Sequence, residues 1–128
     1  MMGQTYSIPL QECEEICIID DSPLPMAMTK RICQTFLPAT PILTFPDVDS
    51  AVSYLVNALL KKRAIFLDLY MPEKTGWNFL ELYNPTFSEN IYILSSTDSE
   101  EDKYKAKTHP HVKDFLPKPL TFDRIKLL

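Results

Sequence analysis

Short apolar runs recur along the chain, and each is bounded by turn-forming or polar residues. Runs with such boundaries are typical of strands that are buried inside a sheet. The segments between the runs are longer and mix apolar with polar residues at helical spacing. The pattern therefore predicts an alternation of strands and helices, with strands at 16–19, 42–45, 64–68, 91–94 and 112–116.

The predicted helices begin and end at residues that suit helix termini. Pro23 fits the first turn of the first helix, whose apolar stripe is predicted at Leu24, Met28, Ile32 and Phe36. The second helix is predicted to bury Val52, Leu55, Val56, Leu59 and Leu60 and to end in the positive charges of Lys61, Lys62 and Arg63. A short third helix follows Gly76, and a fourth begins near Ser99 with acids expected to be solvated. The last helix is predicted over 121–128, with Thr121 as its cap.

Strands that alternate with helices predict one parallel sheet with helices on both faces. Crossover connections between parallel strands are right-handed, so the carboxyl ends of all the strands lie at one edge of the sheet. Open α/β sheets bind their ligands at this edge. Polar residues stand at or just after most of these strand ends, and the predicted site consists of Asp20, Asp21, Asp68, Ser95 and Lys118.

Composition narrows the class of protein. The 128 residues suit a single domain over 1–128, with 1–12 as a lead-in segment, and 45% hydrophobic residues suit a globular chain. A formal net charge of −4 argues against a protein that binds duplex nucleic acid. No apolar run approaches the ~20 residues of a membrane helix, and the amino terminus lacks the basic start of a secretory signal, so we expect a cytoplasmic protein. The three cysteines form no CxxC pair and are expected to be reduced thiols.

The predicted site is rich in carboxylates. Three carboxylates at one edge repel each other and attract a cation, and oxygen ligands without cysteine or histidine favour Mg²⁺. An aspartate can itself act as a nucleophile and become an aspartyl phosphate. Lys118 can neutralise a phosphoryl oxygen as a point charge, and Ser95 can donate a hydrogen bond to another. These residue types therefore suit a phosphoryl group on Asp68.

Four motifs make this sequence resemble the receiver domains of two-component response regulators. They are IIDDSP at 18–23, LDLYMPEKTGW at 67–77, ILSSTDSEED at 93–102 and DFLPKPL at 114–120. Each motif alone is common, but the four in this order across essentially the whole chain are specific. The resemblance implies a flavodoxin-like α/β fold, a doubly wound sheet of five parallel strands in the order 2-1-3-4-5 with helices on both faces.

The resemblance also implies roles for the site residues. Asp68 is the expected phosphoacceptor. Lys118 and the hydroxyl of Ser95, at the end of the fourth strand, are expected to bind the phosphoryl group. Mg²⁺ is expected to bind Asp21 and Asp68 directly and Asp20 partly through water. The backbone carbonyl of Tyr70 is a further expected ligand of the metal.

The resemblance also implies roles for two further pairs of side chains. Ser95 and Phe115 form an expected switch, in which the hydroxyl moves towards the phosphoryl group and the aromatic ring turns inward. The side chains of Tyr70 and Thr97 are expected to flank the line along which water attacks, so that the tyrosine screens the phosphoryl group. The sequence departs from the family in its long lead-in, its segment at 106–115 and its short last helix. These departures leave the acid, hydroxyl and lysine positions intact.

These expectations describe a signalling protein rather than a classical enzyme. A histidine kinase or a phosphotransfer protein would supply the phosphoryl group, and a monomer or weak dimer without its own output domain would act by contact with another protein. Two alternatives remain open: a receiver-like binding module that is not phosphorylated, and a phosphatase that turns over an aspartyl phosphate. The phosphatase is disfavoured because Tyr70 occupies the position of its general acid.

Overall fold

The computed structural model describes residues 8–58, 60–86 and 88–128. Strands and helices alternate through this region after a short 3₁₀ helix at Leu10–Glu12. The strands are β1 Glu15–Ile19, β2 Ile42–Phe45, β3 Arg63–Asp68, β4 Glu89–Ser95 and β5 Val112–Pro117. The helices are α1 Pro23–Phe36, α2 Val48–Asn57, α3 Gly76–Leu82, α4 Glu100–Lys107 and α5 Phe122–Ile125. Within the described residues, no helix is long and apolar enough to cross a lipid bilayer.

The strands are all parallel and lie in the order β2-β1-β3-β4-β5, so the predicted fold class and strand order are confirmed. The chain places β2 on one side of β1 and then returns to place β3 on the other side. This reversal opens a crevice at the carboxyl ends of β1 and β3, where doubly wound sheets bind their ligands. Asp68 is the last residue of β3, and Asp20 directly follows β1.

The central strands β1, β3 and β4 are buried throughout, because helices cover both faces of the sheet. Alternate strand residues point to opposite faces. Ile16, Ile18 and Phe66 pack on the face covered by α1 and α5, whereas Ile19 and Leu67 pack on the face covered by α2 and α3. Burial of each such side chain stabilises the fold by about 1.5–3 kcal/mol. This packing holds β3 and its terminal carboxylate in place.

The apolar stripe predicted for α1 is right at Ile32 and Phe36, which pack against the core, and wrong at Leu24 and Met28. Leu24 is 71% exposed and Met28 is 42% exposed, whereas the buried residues of the helix are Thr29 and Cys33. Residues four apart advance by about 40° around an α-helix of 3.6 residues per turn, so a stripe of every fourth residue winds away from the core. The face that packs follows mixed spacings of three and four, through Met26, Thr29, Cys33 and Phe36.

The predicted apolar face of α2 is too long. The helix ends at Asn57, because Ala58 adopts an extended backbone conformation. Val56 and Leu60 are therefore exposed instead of buried, and the predicted contact of Leu59 lies outside the described residues.

The last helix is shorter than the predicted range of 121–128, since α5 covers only Phe122–Ile125. Thr121 caps it as predicted, with its hydroxyl accepting a backbone N–H at 3.1 Å. Beyond the helix, the N–H groups of Leu127 and Leu128 donate to carbonyls three residues earlier. Such bonds tighten the chain into a 3₁₀-type turn, which ends the α-helix.

Residues 8–13 of the amino-terminal region belong to the fold. Ile8, Leu10 and Cys13 are buried on the face covered by α1 and α5, and the side-chain amide of Asn90 donates to the carbonyl of Ile8 at 2.9 Å. All the cysteines are free and buried. Burial raises the pKa of the Cys33 thiol to about 12, so little reactive thiolate is present at neutral pH.

A buried network of charges closes the amino edge of the sheet, opposite the predicted site. Arg63 begins β3 and does not end a helix as predicted; its Nε donates to Glu15 at 3.0 Å and its Nη1 to Glu89 at 2.6 Å. Tyr54 and Tyr83 donate their hydroxyls to the same two carboxylates. Burial acts to raise the pKa of Glu15, but the hydrogen bond from Tyr54 and the neighbouring cations outweigh it, so the pKa is lowered.

Candidate functional site

The carboxyl edge of the sheet gathers the predicted site residues from four strands. Asp20 and Asp21 follow β1, Asp68 ends β3, Ser95 ends β4 and Lys118 follows β5. Each of the three aspartates offers a carboxylate oxygen, and these oxygens all lie within 4.8 Å of one another. The site is therefore a cluster of acids in the crevice where the strand order reverses.

Lys118 connects two of these acids. Its Nζ lies 2.8 Å from Asp20 Oδ2 and 3.1 Å from Asp68 Oδ1. Its backbone N–H donates to the carbonyl of Ser95 at 3.0 Å, which fixes the loop after β5 to the end of β4. The ammonium group thus reaches the acids from a backbone that is anchored to the neighbouring strand.

Burial and mutual repulsion act on the protonation of the site. Asp68 is 7% exposed. Burial raises the pKa of its carboxyl, and the charges of Asp20 and Asp21 raise it further against the opposing ammonium of Lys118. Burial acts to lower the pKa of Lys118, but its hydrogen bond to Asp20 and the charge of Asp68 hold that pKa above its ordinary value. Additional positive charge would therefore stabilise the ionised cluster.

The two aspartates after β1 differ in their surroundings. Asp20 is buried, accepts the backbone N–H of Ser22 at 2.9 Å and accepts the ammonium of Lys118. Asp21 is half-buried, and among the described residues nothing donates a hydrogen bond to its carboxylate. The protein thus orients Asp20 and leaves Asp21 open to a ligand.

Gly76 allows the loop after β3 to fold back on the end of that strand. Its N–H donates to the carbonyl of Leu69 at 2.7 Å. A Cβ at this position would lie 2.5 Å from the carbonyl oxygen of Asp68, closer than side-chain carbons and backbone oxygens approach. Thr75 then caps α3, with its hydroxyl accepting the N–H of Asn78 at 3.3 Å. The loop is therefore held against the strand that carries Asp68.

Ser95 and Phe115 lie on β4 and β5. Ser95 is buried, and its hydroxyl accepts the backbone N–H of Thr97 at 3.1 Å. Phe115 is half-buried and packs against a cluster formed by Leu69, Ile93 and Ala106. That cluster joins the loop after β3 to α4, so the aromatic ring is placed where a movement of either would reach it. The predicted switch requires a second arrangement of these side chains and stays a prediction.

One contact beside the site was not predicted from the sequence. The hydroxyl of Tyr70 donates to Asp102 Oδ2 on α4, and this hydrogen bond raises the pKa of Tyr70. Asp102 is 7% exposed, although its segment was expected to be solvated. The sequence does not distinguish Asp102 from Glu100 and Glu101, which are exposed. Its burial depends on how α4 packs against the rest of the fold, which the local sequence does not determine.

The donor set of the cluster fits a hard divalent cation. Asp20, Asp21 and Asp68 offer only carboxylate oxygens, which are the ligands that Mg²⁺ and Mn²⁺ prefer. The backbone carbonyl of Tyr70 follows two residues after Asp68, and its part in metal binding stays a prediction.

Comparisons with solved structures agree with this geometry. A response regulator receiver protein from Dyadobacter fermentans DSM 18053 superposes with a TM-score of 0.78 at 27% identity, over 89% of this chain and 94% of that chain. The Mn²⁺-bound form of response regulator Rcp1 superposes with a TM-score of 0.71 at 22% identity, over 89% of this chain and 87% of that chain. The second likeness shows the fold alone.

Comparisons of sequence cover the same region. The two-component response regulator ARR2 of Arabidopsis thaliana is 25% identical over 124 residues, which are 97% of this chain and 18% of that protein. The chain thus spans less than a fifth of the length of this relative. The family model of the response regulator receiver domain matches residues 16–128, from β1 through the acidic edge to the end of the chain. Sheet order, acid cluster and family match agree, and the chain belongs to the response regulator receiver domains.

Proposed function

We propose that this receiver domain accepts a phosphoryl group on Asp68 from a histidine kinase or a phosphotransfer protein, and that it signals by contact with another protein. The observation that carries the proposal is the position of Asp68 Oδ1, 3.1 Å from the ammonium of Lys118 and within a cluster of carboxylate oxygens. A carboxylate in this position has beside it an ammonium group for phosphoryl oxygens and further acids for a metal.

The transfer uses Asp68 as the nucleophile. One of its carboxylate oxygens attacks the phosphorus of a phosphohistidine in line with the P–N bond. The O–P bond forms as the P–N bond breaks, and the imidazole leaves with the electron pair and takes up a proton. Attack requires the ionised carboxylate; burial raises the pKa of Asp68, and Lys118 opposes that effect. The same ammonium then neutralises part of the charge on the transferred group.

The acid cluster would hold the metal. Mg²⁺ at Asp20, Asp21, Asp68 and the backbone carbonyl of Tyr70 would supply positive charge to the oxygens of the transferring group. Asp21 is the expected direct ligand because its carboxylate accepts no hydrogen bond from the described residues. Asp20 is already engaged by the protein, and it is expected to act partly through water.

The output is expected on the surface beside α4, β5 and α5. A phosphoryl group adds about −1.5 to −2 charges at the site. In the proposed switch, the hydroxyl of Ser95 leaves the N–H of Thr97 and donates to a phosphoryl oxygen. Phe115, which packs against α4, then turns into the space that opens. A groove of about 370 Å³ between α4 and β5, lined in part by Tyr104 and Phe115, lies on the surface that this movement would change.

We further propose that 1–128 acts as one receiver domain, with 1–12 as its lead-in segment. The burial of Ile8 and Leu10 in the same core as α1 and α5 supports this. The domain is expected to be a monomer or weak dimer, and a phosphoacceptor rather than a classical enzyme.

Incubation with acetyl phosphate and Mg²⁺ tests the proposed function. The parent chain is expected to take up one phosphoryl group per chain in a form that hydroxylamine releases, and Asp68→Asn is expected to take up none. Asp123→Asn is the matched control, because Asp123 is exposed on α5 and contributes no oxygen to the acid cluster. It should be labelled like the parent.

Three other outcomes would each overturn part of the proposal. A parent chain that takes no label would be a binding module with a receiver fold. Continuous release of phosphate without a stable label would indicate a phosphatase. Undiminished labelling of Asp68→Asn would place the nucleophile at another residue.

A further inference from the structure

The hydrogen bond between Tyr70 and Asp102 connects the loop after β3 to a helix that contributes no residue to the acid cluster. Tyr70 lies two residues after Asp68, and Asp102 lies in the first turn of α4. β3 pairs with β4, with Asp68 opposite Leu94, and α4 begins shortly after β4 ends. The hydrogen bond therefore passes beside the carboxyl ends of β3 and β4, where Asp68 and Ser95 lie.

Asp102 is held in place independently of Tyr70. Its backbone N–H donates to the hydroxyl of Ser99, the cap of α4, at 3.2 Å. Its side chain is buried beside exposed neighbours at 100 and 101. A buried carboxylate requires a hydrogen-bond donor. Within the described part of the chain, the hydroxyl of Tyr70 is the side-chain donor that reaches it.

Tyr70, in contrast, relies on hydrogen bonds of its side chain for a fixed orientation, one to Asp102 and one with Trp77. Its side chain is 55% exposed, and exposed side chains on loops exchange between rotamers within nanoseconds. A hydrogen bond to an ionised carboxylate is among the stronger kinds. The hydroxyl end of the ring is thus fixed to α4, while its backbone is fixed in the loop that Gly76 holds against β3. The ring therefore connects the loop after β3 to α4.

We propose that Asp102 is a positioning residue for the phosphoryl chemistry: it holds the ring of Tyr70 beside the phosphorylated Asp68 and so slows hydrolysis of the aspartyl phosphate. The inference rests on the proposed function. In hydrolysis, a water oxygen bonds to phosphorus in line with the breaking O–P bond, the carboxylate of Asp68 leaves with the electron pair, and the water loses a proton to solvent. A ring fixed at both ends narrows the approach for this water, whereas a ring free to turn opens it.

The decay of labelled protein tests the proposal in a set of matched variants. Tyr70→Phe removes the donor and keeps the ring, Asp102→Leu removes the acceptor and keeps a side chain of similar size, and Asp102→Asn keeps an acceptor oxygen. Tyr104→Phe and Glu101→Gln make comparable changes at exposed positions of α4 and serve as controls. Each protein is labelled with acetyl phosphate, freed of excess reagent, and followed by the loss of hydroxylamine-labile phosphate.

Tyr70→Phe and Asp102→Leu are each expected to shorten the lifetime of the phosphoryl group by about fivefold or more, the lower end of the usual coupling between linked sites. The double variant should decay no faster than Tyr70→Phe, because that change already removes the bond to Asp102. Asp102→Asn and the two controls should keep the parental lifetime. Melting temperatures measured in parallel separate positioning from stability: a lower melting temperature with an unchanged lifetime would mark a structural role and overturn the proposal.

The outcomes are distinguishable from failure of the proposed function. If the parent chain takes no label, the phosphoacceptor role fails and the role of Asp102 falls with it. If the parent is labelled and Tyr70→Phe decays at the parental rate, the role of Asp102 alone is refuted. If Asp102→Leu does not fold, the comparison of Tyr70→Phe with Tyr104→Phe still decides the question.

Discussion

Arg63→Met removes the buried cation from the amino edge of the sheet and leaves the carboxylates of Glu15 and Glu89 without it. The arginine side chain is 1% exposed, and its bonds to these carboxylates measure 3.0 and 2.6 Å. Removal of one partner from a buried ion pair costs about 3–5 kcal/mol, because the remaining charge stays buried and uncompensated. Tyr54 and Tyr83 continue to donate to the two carboxylates, so we expect a loss near the lower limit, about 3 kcal/mol. That is a large part of a total stability of about 5–15 kcal/mol.

Lys74→Met is the matched control for this change. Lys74 and Asp49 form an ion pair of similar length, 2.7 Å, but their side chains are 44% and 68% exposed. Exposed pairs contribute about 0–1 kcal/mol. Urea unfolding followed by circular dichroism measures both free energies of unfolding. If Arg63→Met loses no more stability than Lys74→Met, burial does not make the loss of this cation more costly than the loss of an exposed one.

The pH dependence of stability tests the same reasoning independently. In the parent chain, burial acts to raise the pKa of Glu15, but Tyr54, Arg63 and Lys61 lower it below its ordinary value of 4.5. The unfolded state therefore binds the proton first as the pH falls, so the stability from Glu15 is present above its ordinary pKa and is lost as the pH falls through the folded-state pKa. In Arg63→Met, one of the cations that lower this pKa is missing, so the variant should lose less stability than the parent as the pH falls below the ordinary value of 4.5. Parallel pH profiles of the two proteins would contradict this.

The carboxyl edge provides the remaining expectations. Without Mg²⁺, Asp68→Asn should raise the melting temperature at neutral pH, because burial and neighbouring acids raise the pKa of Asp68. The gain should shrink as the pH falls and the parent carboxyl takes up its proton. An unchanged melting temperature would count against repulsion between the carboxylates of the cluster. Asp21→Ala should weaken Mg²⁺ binding more than Asp20→Ala in a titration of tryptophan fluorescence, and an Asp21→Ala variant with parental affinity would exclude Asp21 as a ligand. Gly76→Ala should lower the urea midpoint, since its Cβ would lie 2.5 Å from a backbone oxygen; a neutral effect would show that the loop can shift at no cost. NMR shifts on addition of beryllofluoride should reach Phe115 and α4. Shifts confined to the acid cluster would contradict the switch of Ser95 and Phe115 and would indicate a protein that only carries the phosphoryl group.

The sequence predicts the candidate site well where a site residue stands directly after a recognisable strand. Asp68 and Lys118 each follow an apolar run that reads as a strand, and parallel topology then brings strand ends together. The prediction failed where burial depends on distant packing. Arg63 follows two lysines and was interpreted as part of a helix end, yet it begins β3 and is buried. Asp102 likewise stands in a run of acids, and only the docking of α4 separates it from its exposed neighbours. Local spacing also misplaced the first half of the packed face of α1, because a four-residue repeat only approximates the helical period.

Charge balance differs between the two edges of the sheet and explains where a switch is expected. At the amino edge, two glutamates are matched by Arg63 and Lys61. At the carboxyl edge, three carboxylates meet one ammonium, which leaves an excess of two negative charges. A divalent cation would cancel this excess, and phosphorylation of Asp68 would then replace one carboxylate charge with about −1.5 to −2. The proposed site therefore cannot be neutral in both states, and we expect nearby hydrogen-bond donors to respond to the difference. The hydroxyl of Ser95 stands at that edge and accepts the backbone N–H of Thr97, so its own hydrogen remains to be donated, whereas the charges of the amino edge are already matched.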